Sequence, residues 1–370
     1  MKKIAYTQSW KKAAVVLFAA CGMQAIYAQT TVKDMAGRNV TVPAKVDRIA
    51  CIGSGCLRQI AYLQATSSVV GAEDIEKNYP PERQSRPYRT ANPDLAKLPR
   101  IGVGGSGVSN KKPEFEAILA VKPQVLFMTN MEAPLADEVQ KTLGIPVVVL
   151  SYGKAAAGGS FDATLYESLQ MAGKVLKREK RAADVVAYIQ NAEKDVRQRT
   201  KGLPAKSSYV GAVCYAGTHG INGSSKQYLP FEWAGVNNLV KDLPGGTGSH
   251  IKIDKEALLK MNPEVIFVDA CSSALVEEDA RKNPEFYKAL RAFSSKNAYW
   301  LFPFVSYTVN ADTAIVDAYA VGKIMYPQAF ADIDLRRKAD DIYTFMVGKP
   351  VYEEMRKGFG ELGSKVSFGQ

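Results

Sequence analysis

The stretch Glu114-Phe-Glu-Ala-Ile-Leu-Ala-Val-Lys-Pro-Gln-Val-Leu-Phe-Met-Thr-Asn130 decides the fold, because it occurs twice. At an offset of 140 residues the chain reads Asp254-Lys-Glu-Ala-Leu-Leu-Lys-Met-Asn-Pro-Glu-Val-Ile-Phe-Val-Asp-Ala270. Glu116 pairs with Glu256, Leu119 with Leu259, Pro123 with Pro263, Val125 with Val265 and Phe127 with Phe267. Each copy reads as the end of an amphipathic helix, a proline that stops it and a short apolar strand. A strand without polar alternation is buried on both faces, as in a parallel sheet covered by helices. Two such copies predict two α/β lobes of similar construction.

With 370 residues, 46% of them hydrophobic and 23% charged, the chain is long enough for two domains with separate cores. No apolar run reaches the 18 residues that a membrane span needs. The first 28 residues read as an export signal: Lys2, Lys3, Lys11 and Lys12, an apolar run Ala13 to Cys21, then Ile26-Tyr27-Ala28 before a cleavage point. An alternative cut precedes Cys21, where Phe18-Ala19-Ala20-Cys21 loosely matches a lipid-attachment box; the phenylalanine is the poorer fit. Removing the four lysines leaves 44 basic and 37 acidic side chains, a net charge of +7, which suits an anionic ligand or a solvated surface. No basic run interleaved with aromatics points to nucleic acid. Cys51, Cys56, Cys214 and Cys271 remain in an exported compartment that permits disulfides. Cys51 lies in an apolar strand, where a buried thiol is usual, and the Cys51-x4-Cys56 spacing fits no zinc or iron–sulfur pattern.

Asp34-x-x-Gly37-Arg38-x-Val40-x-Val42-Pro43-x-x-Val46-x-Arg48-Ile49 opens the exported chain. This signature resembles the opening of the class III periplasmic binding proteins, which deliver ferric siderophores, haem and cobalamin to ABC importers. The resemblance extends over both copies of the repeat and over a helical segment that follows residue 160. It implies two Rossmann-like lobes with parallel sheets, joined by one long rigid helix, with a ligand cleft between the lobes. The corresponding division is a lobe at 29–158, a connection at 159–203 and a lobe with the C-terminal helices at 204–370. Residues 161–200 have a helical period, and 178–201 alone would span about 36 Å as one helix. Asn78 to Pro99, with Pro80, Pro81, Pro87 and Pro93, reads as an irregular surface insertion.

In open parallel sheets ligands sit beyond the carboxyl ends of the strands. From the first lobe the strand-end loops contribute Ser54, Gly55, Gly105, Ser106, Asn130 and Tyr152. The Gly53-Ser54-Gly55 turn offers backbone N–H groups to an anion, and Arg58 offers either a bidentate anion contact or a solvent-facing arginine. From the second lobe come Tyr215, His219, His250, Phe304, Tyr307 and Asn310. The aromatics can wall a bulky chelate, and Tyr215, His219 and Tyr307 are the groups to test for direct ferric ligation. Glu116 and Glu256 match the glutamates that in this family dock onto the permease dimer; otherwise they are ordinary helix-surface residues.

The resemblance implies a monomeric periplasmic protein without cofactor or catalysis, handing an iron complex or a corrinoid to an ABC permease. An oxyanion such as molybdate is the alternative within the class, favoured by a smaller cleft with backbone donors. A metallocluster oxidoreductase shares the paired-lobe architecture, but it would need the four cysteines to converge. No nucleophile elbow, paired metal-ligand helix or nucleotide fingerprint is present.

Overall fold

The computed structural model describes residues 29–77, 84–105, 110–157, 159–215, 217–246 and 249–368. The export signal, Cys21 and Ser106 lie outside the described residues. The chain starts with an antiparallel pair, β1 (Gln29–Lys33) and β2 (Asn39–Pro43). The opening signature pins this pair to the first sheet. Buried Asp34 accepts from the backbone N–H groups of Ala36, Arg38 and Val149 and from the Arg38 guanidinium, which also bonds Asp137. Those motif residues are a structural clasp, not a ligand site.

The first sheet runs β3 (Ile49–Ile52), β4 (Val125–Thr129), β5 (Val147–Leu150), all parallel. Isolated parallel bridges Ile49–Val69 and Ala72–Arg100 extend it on the β3 side. The second half contains β6 (Ser207–Gly211), β7 (Gly223–Ser225), β8 (Asn237–Asn238), β9 (His250–Lys252), β10 (Ile266–Asp269) and β11 (Ala298–Leu301). Its main sheet has the parallel order β11-β10-β6-β8, with β7 and β9 paired antiparallel beside it. The two copies of the repeat supply β4 and β10, both interior strands and both wholly buried.

The helices of the repeat, Phe115–Ala120 and Lys255–Met261, bury the matched Ile118 and Leu258. Both copies then turn through a left-handed residue just before the proline, Lys122 at φ 47° and Asn262 at φ 39°. Proline disfavours the right-handed helical region for the residue before it. The helix therefore ends at the same place in both copies.

Residues 161–200 form two helices rather than one, Ala163–Leu176 and Glu179–Thr200. The break falls at Lys177, φ 55°, and not at Gly173. Gly173 serves close packing instead: a Cβ there would stand 2.6 Å from that of Ala182. The 22-residue helix Glu179–Thr200 is about 33 Å long at 1.5 Å per residue. It buries Ala182, Val185, Val186, Ile189, Ala192 and Val196 along one face, and packs on Ala163–Leu176, Leu229–Ala234 and Ala311–Met325.

The C-terminal helices belong to both halves. Leu335–Val347 packs on Ala311–Met325 and also on Cys56–Tyr62 and Pro87–Ala91. One apolar cluster runs without interruption from Tyr62, Tyr88 and Tyr152 to Tyr228, Phe304, Tyr319 and Tyr343. Residues 78–83 lie outside the described residues, but the rest of the segment, 84–99, is not simply a surface insertion. Glu76, Arg86 and Tyr88 are fully buried or nearly so, with Glu76 accepting from both Arg86 and the Tyr88 hydroxyl. A buried carboxylate is tolerated because its partners satisfy it.

Candidate functional site

The carboxyl ends of the first-sheet strands are covered by a piece of the second half. Residues 305–309 form a tight antiparallel turn, closed by the Val305–Val309 bridge, with Tyr307 and Thr308 both at positive φ, 52° and 66°. Two successive left-handed residues are the geometry of a primed hairpin turn, unusual without glycine or asparagine. First-half residues hold it in place. Arg58 donates through Nη1 to the carbonyls of Tyr307 (3.2 Å) and Val309 (2.9 Å), and through Nη2 to that of Ser306 (2.6 Å). Arg58 is therefore neither solvent-facing nor free to grip an anion. It is fully buried, lies 5.0 Å from the Tyr88 ring centroid, and ties the halves together. Burial pulls its basicity down, but the Tyr152, Tyr88 and Tyr62 hydroxyls and Asp312 outweigh that and hold it above its ordinary value.

Gly55 sits under the turn tip. Its φ is 75°, and a Cβ would come within 2.5 Å of both Thr308 Cγ2 and the Tyr152 ring. Tyr152 is buried and donates its hydroxyl to the Gly55 carbonyl, so it is packing and not an exposed wall. The Tyr307 hydroxyl donates to Glu73 Oε2 at 2.8 Å and accepts from the Gly105 N–H at 3.2 Å. Glu73 also accepts from the Gly53 N–H. Burial pushes the Glu73 carboxyl up to about 7, partly offset by those two hydrogen bonds. Asn310 and Phe304 are fully buried; Asn310 donates to the carbonyls of Ser85 and Phe304. Asp312, next in the same joint, is pushed up to about 6 by burial. Of the first-half candidates, Ser54 stays partly exposed and Asn130 exposed, the latter left-handed at φ 55° with its carbonyl accepting from the Asn110 N–H.

The second half is different. Beyond the carboxyl end of β6 lies an open pocket of about 320 Å³ whose lining includes Tyr215, His219, His250, Ser224 and Lys252. The Tyr215 and His250 rings stack with centroids 3.9 Å apart. A His219 ring nitrogen lies 2.8 Å from the Tyr215 carbonyl, and the His219 N–H donates to Ser272 Oγ. Burial, with a contribution from His219, lowers His250 to about 4, so its imidazole is neutral at pH 7. A lysine, two imidazoles, a phenol and a serine line the pocket, with no carboxylate among the lining residues. Tyr307 is not part of it, so the proposed ferric triad of Tyr215, His219 and Tyr307 is not assembled.

Sequence reasoning missed the Cys214–Cys271 disulfide and Lys252, and it expected the buried Cys51 thiol. Cys214 and Cys271 form a disulfide across 57 residues, joining the loops after β6 and β10. Cys51 and Cys56 are buried free thiols, so the four cysteines do not converge and the metallocluster reading loses its ligand set. Lys252 follows the selected His250 by two residues, and the same-face spacing along β9 was its available signal. Among the described residues no cluster of three or more His, Cys, Asp or Glu could hold a metal ion, and no helix is long and apolar enough to cross a membrane. Glu116 and Glu256 are both exposed, each in the first turn of its copy of the repeat helix.

Paired parallel sheets and an open pocket beyond the carboxyl end of β6 are the architecture to set beside known proteins. The chain matches the family described as periplasmic binding protein over residues 49–300 and belongs to that family of ABC-importer components, which implies a periplasmic location. The molybdate-binding protein MolA of Haemophilus influenzae is 24% identical over 335 residues, 85% of this chain and 90% of that one. Its molybdate-bound crystal structure superposes with a TM-score of 0.65 at 19% identity, covering 87% and 98% of the two chains. A periplasmic solute binding protein from Veillonella parvula gives a TM-score of 0.69 at 19% identity, covering 90% and 97%. A nickel–histidine complex of Helicobacter pylori CeuE gives 0.59 at 22% identity, covering 87% and 96%.

Proposed function

We propose that the chain captures a small oxyanion of the molybdate class in the Tyr215–His219–His250–Lys252 pocket and delivers it to an ABC permease. The observation that carries this is the donor-rich lining without a carboxylate at the carboxyl end of β6. Lys252 supplies charge, and the neutral His250 imidazole can add a hydrogen bond without a protonation cost. The size agrees. A water occupies about 30 Å³, so the pocket suits an oxyanion with a few waters. Pockets for drug-sized ligands run from about 300 to 1,000 Å³, and a haem or corrinoid belongs to the upper part of that range. The iron complex expected first from sequence is thus the less well supported ligand, because the 305–309 turn takes up the first-half face that a bulky chelate would use. The relative that binds molybdate points the same way.

Two imidazoles in one pocket support a second reading, a metal already held by a small chelator, as in the nickel–histidine neighbour. Isothermal titration of the exported form with molybdate, tungstate, nickel–histidine, a ferric chelate, haem and a corrinoid separates the readings. Saturable molybdate or tungstate binding is expected. Binding of a chelate with no response to either oxyanion overturns the proposal. We further propose that 29–158 and 204–370 act as the two lobes, that residues 1–28 are the export signal, and that Glu116 and Glu256 dock on the two halves of the permease. Charge reversal at both glutamates should abolish uptake and leave ligand affinity unchanged.

A further inference from the structure

A cavity of about 770 Å³ in the second half is lined by other residues than the β6 pocket. Its rim has four cations from four separate segments: Arg281, Lys288, Lys296 and Lys365. Tyr287, Phe293 and Phe368 form its floor, with Phe293 and Phe368 stacked at 5.5 Å and both packed edgewise or face-on against their neighbours. Among the described residues the lining contains no carboxylate side chain. Among the described residues only Lys288 has an ion-pair partner, Glu285; Arg281, Lys296 and Lys365 have none. Three cations that converge here without an ion-pair partner, beside a fourth, repel one another, which is a cost unless an anion joins them.

The groove also has a position. Tyr287 and Lys255 share the carboxylate of Asp279, at 2.9 Å and 2.7 Å. Lys255 adjoins Glu256 on the helix proposed to face the permease, and Arg291, the first residue of the short helix Arg291–Ser294 that includes Phe293, bonds Glu264 between the helix and the strand of that same repeat. We infer that this groove seats the headgroup of an anionic phospholipid when the protein is docked at the membrane. Its rim would take the phosphate and its aromatic floor the glycerol and first methylenes. Cations above an aromatic floor match an amphiphilic anion better than an acidic peptide, whose carboxylates would leave the floor uncovered. The location rests on the docking reading; the lipid contact itself does not need the permease.

Co-sedimentation with vesicles is therefore the test, since it contains no permease and cannot fail because the docking glutamates are misassigned. Vesicles of phosphatidylcholine with 30% phosphatidylglycerol should bind the exported form, and pure phosphatidylcholine should not. The variant R281Q/K288Q/K296Q/K365Q should lose about tenfold or more of the partition coefficient, with molybdate affinity unchanged. A control variant K174Q/K177Q/K180Q/K194Q, with the same change in net charge, should bind like the parent. Absence of binding to anionic vesicles, or equal loss in both quadruple variants, overturns the inference. Saturable binding of inorganic pyrophosphate to the groove without vesicle binding would also overturn it, in favour of a soluble anion.

Discussion

The two sets of strand-end loops began as copies of one plan and now have opposite character. In the first half, Gly55 lies tight against Thr308 of the 305–309 turn, and Glu73 and Gly105 spend their polar groups on its Tyr307 hydroxyl. In the second, Tyr215, His219 and His250 remain around an open pocket. The difference teaches that a strand-end position in a parallel sheet is a ready site for any polar group, including a neighbouring backbone. The first half has used its site for assembly. The second leaves its own open to solvent.

Breaking the joint should have the largest effect. Arg58→Ala leaves three buried carbonyls without their donor and Asp312 without its nearby cation, so it should cost about 5 kcal/mol, the upper end for removing one partner of a buried charge network. Urea denaturation followed by circular dichroism measures it. A cost below 1 kcal/mol would mean that the turn is held by something else. Next, Cys214→Ser with Cys271→Ser opens a closed loop of 57 residues. The chain-entropy relation gives about 4 kcal/mol for that length. The pocket, which includes Val213 and Tyr215, should lose ligand affinity as well, whereas the Arg58 joint should be unaffected.

A pH series sharpens the contrast. Glu73 is about 7 when folded, above its unfolded value. A carboxyl raised on folding contributes most below its unfolded pKa, and that contribution is lost as pH rises through the folded value. Stability should therefore decline between about pH 5 and pH 7 and level off above, with Asp312 and Asp269 acting in the same direction. Glu73→Gln should flatten the profile by on the order of 2 kcal/mol at pH 8, read from thermal unfolding at each pH. A slope unchanged by the substitution would show that Glu73 is not the titrating group. The smallest effect falls on the pocket. Lys252→Met or His250→Ala should weaken oxyanion binding about tenfold, equivalent to about 1.4 kcal/mol, while Ser54→Ala should leave it within twofold. Equal losses from Ser54 and Lys252 would return the first half to the binding site.

The sheets were legible because Val125 to Phe127 and Val265 to Phe267 are apolar at every position, and only burial on both faces explains that. The two helices that precede those strands followed from the same repeat. Arg58 was misread because a charged residue one turn into a helix looks the same in sequence whether it meets water, a ligand or distant carbonyls. Its partners lie about 250 positions away. Segment 84–97 was misread for a similar reason: prolines and arginines signal a surface, and only the pairing of Glu76 with Arg86 and Tyr88 puts them inside. The Cys214–Cys271 link was open in principle, since both residues follow strands that proved to be neighbours, β6 and β10.

The shared joint also bears on how such a protein can diversify. Substitution at Arg58, Gly55, Glu73 or Tyr307 changes whether the chain folds before it changes what the chain holds. Mutations that survive will therefore accumulate in the loops after β6 and around β9. One half of a duplicated plan has become a chassis and the other its exchangeable fitting, so new ligand preferences can be acquired without renegotiating the architecture.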